Sequence, residues 1–259
     1  MRRLIIEEPV SRAAIWSRRI AWFALAVTAV ALVLMRFQLV DVLPGAISLA
    51  AGIGLAVLAV LLALAAFVRI WMEGRRGVGA AAKGLVLALV ILAYPGLFAL
   101  RAATLPRLND VSTDIEDAPA FSRSRIALEA RGGRVPPEVT RETRLAQRAA
   151  YPQIAPLTLD VSPEEAFELV RKAAVNRGWE VIETVRPGGR VGLGRIEAID
   201  RTFLLRLPDD ITVRIRPRVD GSRIDVRSAS RLGSHDLGQN ARRIRAYLDE
   251  VSNLALALR

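Results

Sequence analysis

The sequence predicts an α+β protein: an N-terminal region of three transmembrane helices, then an antiparallel sheet covered by one short and one long C-terminal helix. Three observations predict it. Uncharged apolar runs are confined to residues 20–104, whereas residues 105–259 hold most of the acids and bases. From Leu157 onward, apolar residues switch between helical spacing and strict alternation in the order β-α-β-β-β-β-α. Turn chemistry separates these stretches, at Pro187-Gly188-Gly189, Pro208-Asp209-Asp210 and Asp220-Gly221. The expected divisions are a membrane region at 1–104, a Pro-rich wrapping segment at 105–156 and a soluble α+β domain at 157–259.

A transmembrane helix needs about 20 mostly apolar residues to cross about 30 Å of hydrocarbon. Residues 46–68, AISLAAGIGLAVLAVLLALAAFV, supply 23 without a charge. Residues 20–35 are shorter, but Arg18, Arg19 and Arg36 can snorkel outward at the ends. Residues 84–100 form the third span, where Pro95 predicts a kink. The first segment reads as an anchor: 19 residues precede it, no small-x-small cleavage site follows, and two further spans come next. Gly52, Gly54 and Ala56 offer small residues for helix packing.

Lys and Arg near the span ends set orientation. Counting Arg2, Arg3, Arg12, Arg18 and Arg19, then Arg36, then Arg69, Arg75, Arg76 and Lys83, then Arg101 and Arg107, the tally runs five, one, four, two. The expectation is a multi-pass protein of a bacterial inner membrane, with a cytoplasmic N-terminus and a periplasmic C-terminal domain. The net charge of +11 divides into +7 before residue 105 and +4 after it. Membrane orientation accounts for the larger share, so no nucleic-acid partner is expected. Arginine outnumbers lysine 35 to 2, a codon bias typical of a GC-rich bacterial genome. There is no cysteine, which excludes disulfides, thiol nucleophiles and cysteine-ligated metals.

In the wrapping segment a helix is expected around 137–150, and Ile115, Phe121, Ile126 and Leu128 are expected to pack on the domain. LTLDV from Leu157 reads as a strand. Ser162-Pro163-Glu164-Glu165 starts a helix with a capping box. Ala166, Phe167, Val170, Ala173 and Ala174 form its buried stripe, and Gly178 with Trp179 ends it. With Asp220-Gly221 as a hairpin turn, Ile215 faces Val226, Val213 faces Ser228 and Arg216 faces Asp225. Val213, Ile215, Ile224 and Val226 then share the inner face, while Arg214, Arg216, Arg218, Arg223 and Arg227 share the outer one. Pro217 places its strand at an edge or a bulge.

Apolar residues at Leu237, Ala241, Ile244, Leu248, Val251, Ala255 and Leu258 predict a final helix of about six turns. Ser234-His235-Asp236 contains the single histidine of the chain. Adjacent residues cannot converge on one reacting atom as a triad requires, so the triplet reads as a helix start with Ser234 at the N-cap.

These residues carry a family resemblance. Asn109-Asp110-Val111-Ser112-Thr113-Asp114, Tyr151-Pro152, Arg195-Ile196-Glu197-Ala198 and Asp209-Asp210-Ile211-Thr212-Val213-Arg214-Ile215 contribute to it. So do Asp225-Val226-Arg227-Ser228-Ala229-Ser230-Arg231-Leu232-Gly233 and Asp236-Leu237-Gly238-Gln239-Asn240-Ala241-Arg242-Arg243-Ile244. Together they resemble the domain-of-unknown-function 1499 family over roughly residues 105–250. The resemblance implies no established activity. It implies that residues 109–121 belong to the domain, and His235 stands where the family motif has a small polar residue.

The candidate site is a polar cluster of Arg227, Ser228, Ser230, Arg231, Asp236, Asn240, Arg243 and Asp110. Its guanidinium forks suit a phosphate or carboxylate. The same residues also read as an internal network, with Arg231 or Arg227 pairing Asp236 or Asp110. A second reading is a carrier or sensor of a lipid or other apolar ligand held between sheet and C-terminal helix. A hydrolase has least support: Asp110, Asp114, Glu116 and Asp117 lack calcium-loop spacing and read as turn formers and caps. The glycines of 188–194 lack both the dinucleotide and the Walker order, which leaves a loose hairpin. The expectation is a non-enzymatic integral membrane protein without cofactor or metal. Its domain would be an extracytoplasmic interaction or ligand-binding module in cell-envelope maintenance. Its partners would be the lipid bilayer, a membrane or envelope protein, and a lipid or small anionic ligand.

Overall fold

The structure, a computed structural model, describes residues 9–188 and 192–257. Arg2 and Arg3 of the orientation tally, Gly189 to Val191 of the expected loose hairpin and Leu258 of the expected helical stripe lie outside the described residues.

Three helices open the chain: α1 Arg12–Arg36, α2 Val42–Glu73 and α3 Val78–Thr104. Each is long and apolar enough to cross a membrane. They outrun the apolar segments at both ends, because Arg, Glu and Ala are good helix formers and continue the helix past the apolar core. The helix of α3 runs through Pro95. On α1 the buried positions are Ala14, Ser17, Ala21, Ala24, Ala31 and Met35. On α2 they include Gly52, Ala56, Ala59, Ala63 and Ala66, and on α3 Ala81, Gly84, Ala88 and Ile91. This alternating three-and-four spacing is a seam of small residues that lets backbones approach closely. A Cβ on Gly84 would stand 2.3 Å from Ser17 Oγ, and one on Gly52 would stand 2.3 Å from Thr28 Oγ1. Ser17 Oγ donates to the Ala59 carbonyl at 2.9 Å, so one side chain joins α1 to α2 while facing α3. Gly54 meets nothing, contrary to expectation, because a position two residues from the Gly52 seam lies on another side of the helix.

The second unit is built on a six-stranded antiparallel sheet. Its elements are β1 Asp110–Ser112, α4 Arg125–Ala130, α5 Arg141–Ala150, β2 Leu157–Leu159, α6 Pro163–Asn176, β3 Glu180–Val185, β4 Gly194–Arg201, β5 Pro208–Arg218, β6 Gly221–Ser230 and α7 Gln239–Leu256. The strand order is β1-β6-β5-β4-β3, and β2 pairs with the other half of the β6 edge that β1 uses. From β2 to α7 the order is the expected β-α-β-β-β-β-α.

The helices α6 and α7 pack on the inner face, where Ile196, Ala198, Ile211, Val213, Ile215, Ile224 and Val226 meet Phe167, Val170, Ile244, Tyr247 and Val251. The α6 capping box is present: Ser162 Oγ accepts from Glu165 N–H and the Glu165 carboxylate accepts from Ser162 N–H. Gly178 is left-handed after α6, and Trp179 donates its N–H back to Ala174 and stacks on Tyr247 at 4.4 Å. Tyr247 in turn donates to the Val170 carbonyl at 2.8 Å.

Four expectations are corrected. The hairpin register pairs Ile215 with Ile224, Val213 with Val226, Arg216 with Arg223 and Arg214 with Asp225, so the two-residue turn is Val219-Asp220. The pairing is displaced by two residues, which preserves every inward and outward assignment. Gly221 is instead required by close approach: a Cβ there would stand 2.1 Å from the Leu159 carbonyl oxygen of β2. Pro217 lies beyond the last β4 rung, at Ile215, where a missing N–H costs no ladder bond.

The wrapping segment contributes β1 and the short α4, and its expected helix begins at Arg141 behind the N-cap Thr140. Ile126 is exposed, and Ala127 is the buried residue of α4. This segment covers the outer face of the sheet, so the outward arginines do not form an open surface. Finally, α7 starts at Gln239, five residues after Ser234, because Leu237 and Gly238 are both left-handed and interrupt the helix.

Candidate functional site

The polar cluster is divided by the sheet itself. In a strand, neighbours point to opposite faces, so Ser228 and Ser230 face α7 while Arg227 and Arg231 face the wrapping segment. β1 supplies Asp110 on the outer side, two rungs from Arg227. Two separate networks result.

On the inner side, Arg243 reaches from α7 to the strand ends. Its Nη2 donates to Asp209 at 2.5 Å, its Nε to Asp200 at 2.6 Å and its Nη1 to Ser228 and Asn240. Asn240 accepts from Ser228 Oγ at 2.7 Å and donates to Ser230 Oγ and to the Asn109 carbonyl. Burial raises the Asp209 carboxyl above its ordinary range against the pull of Arg243, and the two aspartates raise the Arg243 guanidinium although its burial opposes this. Among the described residues Asp236 pairs with no arginine, contrary to one expected arrangement. Its carboxylate accepts from the N–H groups of Gly238 at 2.8 Å and Asn240 at 2.7 Å, so Asp236 performs the capping assigned to Ser234.

On the outer side, Arg227 forks onto Asp110 at 2.6 and 3.0 Å and donates to the Pro119 and Pro137 carbonyls. Arg231 holds Asp210 rather than Asp110 or Asp236, at 2.8 Å. Beneath them Arg131 and Glu197 form an ion pair, both side chains fully buried. The guanidinium groups of Arg131 and Arg227 both lie over the Phe121 ring, at 5.0 Å and 4.9 Å from its centre. Burial raises both Asp110 and Glu197, opposed by Arg227 and Arg131 respectively.

The acidic run also serves the fold. Asp114 accepts the Asp117 N–H and receives Arg216 at 2.7 Å and Arg223 at 2.6 Å, while Arg148 pairs with Glu116. Burial alone would raise Asp114, but the Asp117 N–H and the arginines hold it below its ordinary value of 3.8. A carboxyl depressed by folding contributes stability above its unfolded pKa and loses it as pH falls through the folded one. Asp114→Asn is therefore expected to flatten acid unfolding below about pH 4. Identical acid limbs in the two proteins would refute that role.

Ser234 is exposed, and His235 Nδ1 accepts the Leu237 N–H at 3.1 Å. Among the described residues no group of His, Asp and Glu could hold a metal ion.

One cleft, of about 250 Å³, opens beside the outer network and is lined by Asn109, Asp110, Arg134, Asp210, Ser230 and Arg231 together with Val135 to Pro137. Arg134 is exposed at its mouth and, among the described residues, no carboxylate pairs with it. The sequence reading missed Arg131, Glu197 and Arg134. Glu197 lies within a family motif, but nothing local marks its partner. Arg134 sits in a Gly-Gly-Arg-Val-Pro-Pro stretch that reveals only a turn.

A family model described as a protein of unknown function (DUF1499) matches residues 110–251, from the first residue of β1 into α7. No curated protein matches the chain.

Proposed function

The chain belongs to the DUF1499 family of proteins of unknown function, and from that premise we propose a non-catalytic, membrane-tethered module that binds a small anion at the sheet-end cleft. The observation that carries the reading is Arg134. The other arginines of the candidate site are engaged by carboxylates, carbonyls and side-chain oxygens, whereas this guanidinium borders a cleft with no acidic partner. A guanidinium fork there, backed by Ser230 and Asn109, suits a carboxylate or a phosphate. The basic tally around the three apolar helices supports a periplasmic position for the domain, on a bacterial inner membrane, with a role in envelope maintenance.

Calorimetry on the full chain in nanodiscs, titrated with inorganic phosphate and with succinate, tests the binding. Arg134→Ala is expected to weaken it by about 1.5–3 kcal/mol, roughly 10- to 100-fold, with an unchanged Tm. No heat with either anion, or equal affinity in the variant, would overturn the reading. A phosphatase reporter on the C-terminus is expected to be active outside the cytoplasm; activity of a cytoplasm-only reporter there would overturn the orientation.

A further inference from the structure

The floor of the Arg134 cleft is one rung of the sheet. Ala229 of β6 pairs with Asp110 of β1 on one side and with Asp210 of β5 on the other, so all three side chains point to the outer face. Strands lie about 4.8 Å apart, which puts one carboxylate on each side of a single methyl group. An alanine between two longer side chains leaves a hollow, and Ala229 lines the cleft with both aspartates. Along β6 the same face carries Arg227, two residues before Ala229, and Arg231, two residues after it. Arg227 holds Asp110 and Arg231 holds Asp210, so the floor is balanced in charge before any ligand enters.

The lining is rich in acceptors. Pro136 and Pro137 have no N–H to offer an anion, and the Pro137 carbonyl accepts from Arg227. Among the described residues the Asp110 carboxylate accepts hydrogen bonds from Arg227 and the Asp210 carboxylate from Arg231. A carboxylate has about four lone-pair sites, so each can accept more. The Asp110 side chain is 12% exposed against 2% for Asp210, so Asp110 is the one a ligand reaches. Burial holds its carboxyl above the ordinary value despite the Arg227 fork, so it gains from a second cation. Against these acceptors stands the exposed Arg134 guanidinium, which no carboxylate pairs with among the described residues. A bare anion on Arg134 would meet two carboxylates in the floor, whereas an ammonium group on the same ligand turns that repulsion into attraction.

We propose that the cleft selects a compact zwitterion: its phosphate or carboxylate meets the Arg134 guanidinium while its ammonium donates to Asp110 beside the Ala229 methyl. At about 250 Å³ the cleft is smaller than the ~300–1,000 Å³ typical of drug-sized ligands, which suits a molecule of a few heavy atoms. The inference rests on the anion-binding reading of this cleft and adds the second charge. Ethanolamine phosphate, free or as a phospholipid headgroup, and a short amino acid share this chemistry.

Calorimetry on the full chain in phosphatidylglycerol nanodiscs compares O-phosphoethanolamine with ethyl phosphate, and β-alanine with propionate. Within each pair the ligands differ by the ammonium group. The expected result is binding at least about 10-fold tighter with the ammonium in one pair or both. The pair with the larger gain tells a phosphate ligand from a carboxylate one. Repeating the titration in nanodiscs that contain phosphatidylethanolamine separates the sources. Weaker apparent binding of O-phosphoethanolamine there assigns the cleft to a lipid headgroup, and unchanged binding assigns it to a free zwitterion. Equal affinities within both pairs overturn the inference while the anion-binding reading stands. No heat with any of the four ligands overturns both. Asp110→Asn is expected to erase the gain and leave ethyl phosphate binding in place; a gain retained in that variant overturns the placement of the ammonium on Asp110. The comparison on the unaltered chain decides the matter whether or not that variant folds.

Discussion

Glu197→Ala is expected to destabilise the C-terminal domain by about 3–5 kcal/mol, the cost of breaking a buried ion pair from one side. For a domain of this size that is a fall in Tm of roughly 10 °C. The carboxylate accepts the Ser122 N–H at 2.9 Å and the Thr212 hydroxyl at 3.0 Å as well as Arg131. Arg131, fully buried, would keep Asp210 at 3.4 Å but lose its closest counter-charge. Its other contacts, the Ser122 carbonyl and the Phe121 ring, belong to the wrapping segment, so that segment should loosen first. Glu197→Gln keeps an acceptor for Ser122 and Thr212 and should cost less than the alanine. Arg131→Met combined with Glu197→Leu should recover most of the loss, since apolar replacement of a whole buried pair is often neutral. Thermal unfolding followed by circular dichroism reads all of these. A loss below about 1 kcal/mol in the alanine variant would mean the pair is a surface-grade contact.

Arg243→Ala is expected to cost a similar amount, with a distinctive pH signature. Asp200 and Asp209 face each other on one rung of β4 and β5, and Arg243 is the cation that separates their charges. Without it, two carboxylates oppose one another beside a buried Asn240, and Asp209, already raised by burial, rises further. An acid whose folded pKa lies above its unfolded value binds its proton more tightly in the folded state. Stability is therefore lost as pH rises through that window and regained as pH falls. The variant should be more stable near pH 5 than near pH 8, and Asp209→Asn in the same background should remove the difference. A pH-independent deficit would show that packing, and not the aspartate pair, accounts for Arg243.

How far these networks were legible can be judged residue by residue. The eight residues of the candidate cluster are recognisable as polar groups, but the sequence reading gathers them into one cluster, whereas the alternation of β6 puts Arg227 and Ser228 on opposite faces. Of the pairings named, Arg227 with Asp110 is present, but the other partners were not legible. Arg231 was matched with Asp110 or Asp236, but it takes Asp210, because Asp210 stands on the outer face of β5 opposite Ala229, two residues before Arg231, while Asp236 is occupied by α7. The α7 start was placed at Ser234 because serine before a helical stripe is a good cap. The left-handed pair Leu237-Gly238, which moves the start to Gln239, has no signature in the apolar spacing.

By itself the sequence determined three apolar helices, the β-α-β-β-β-β-α order, the α6 capping box and the inner face of the sheet. Each depends on neighbours in the chain or on a period of 2 or 3.6 residues, so composition and spacing carry it. The tertiary structure decided the hairpin register, the role of Gly221, the covering of the outer face by residues 113–150 and the matching of arginines to carboxylates. A two-residue register shift leaves every side chain on its own face, so hydrophobic patterning cannot distinguish the alternatives. Guanidinium groups are chemically equivalent donors, so which carboxylate each one holds is settled only when distant segments such as Arg131 and Glu197 are brought together by the packed core.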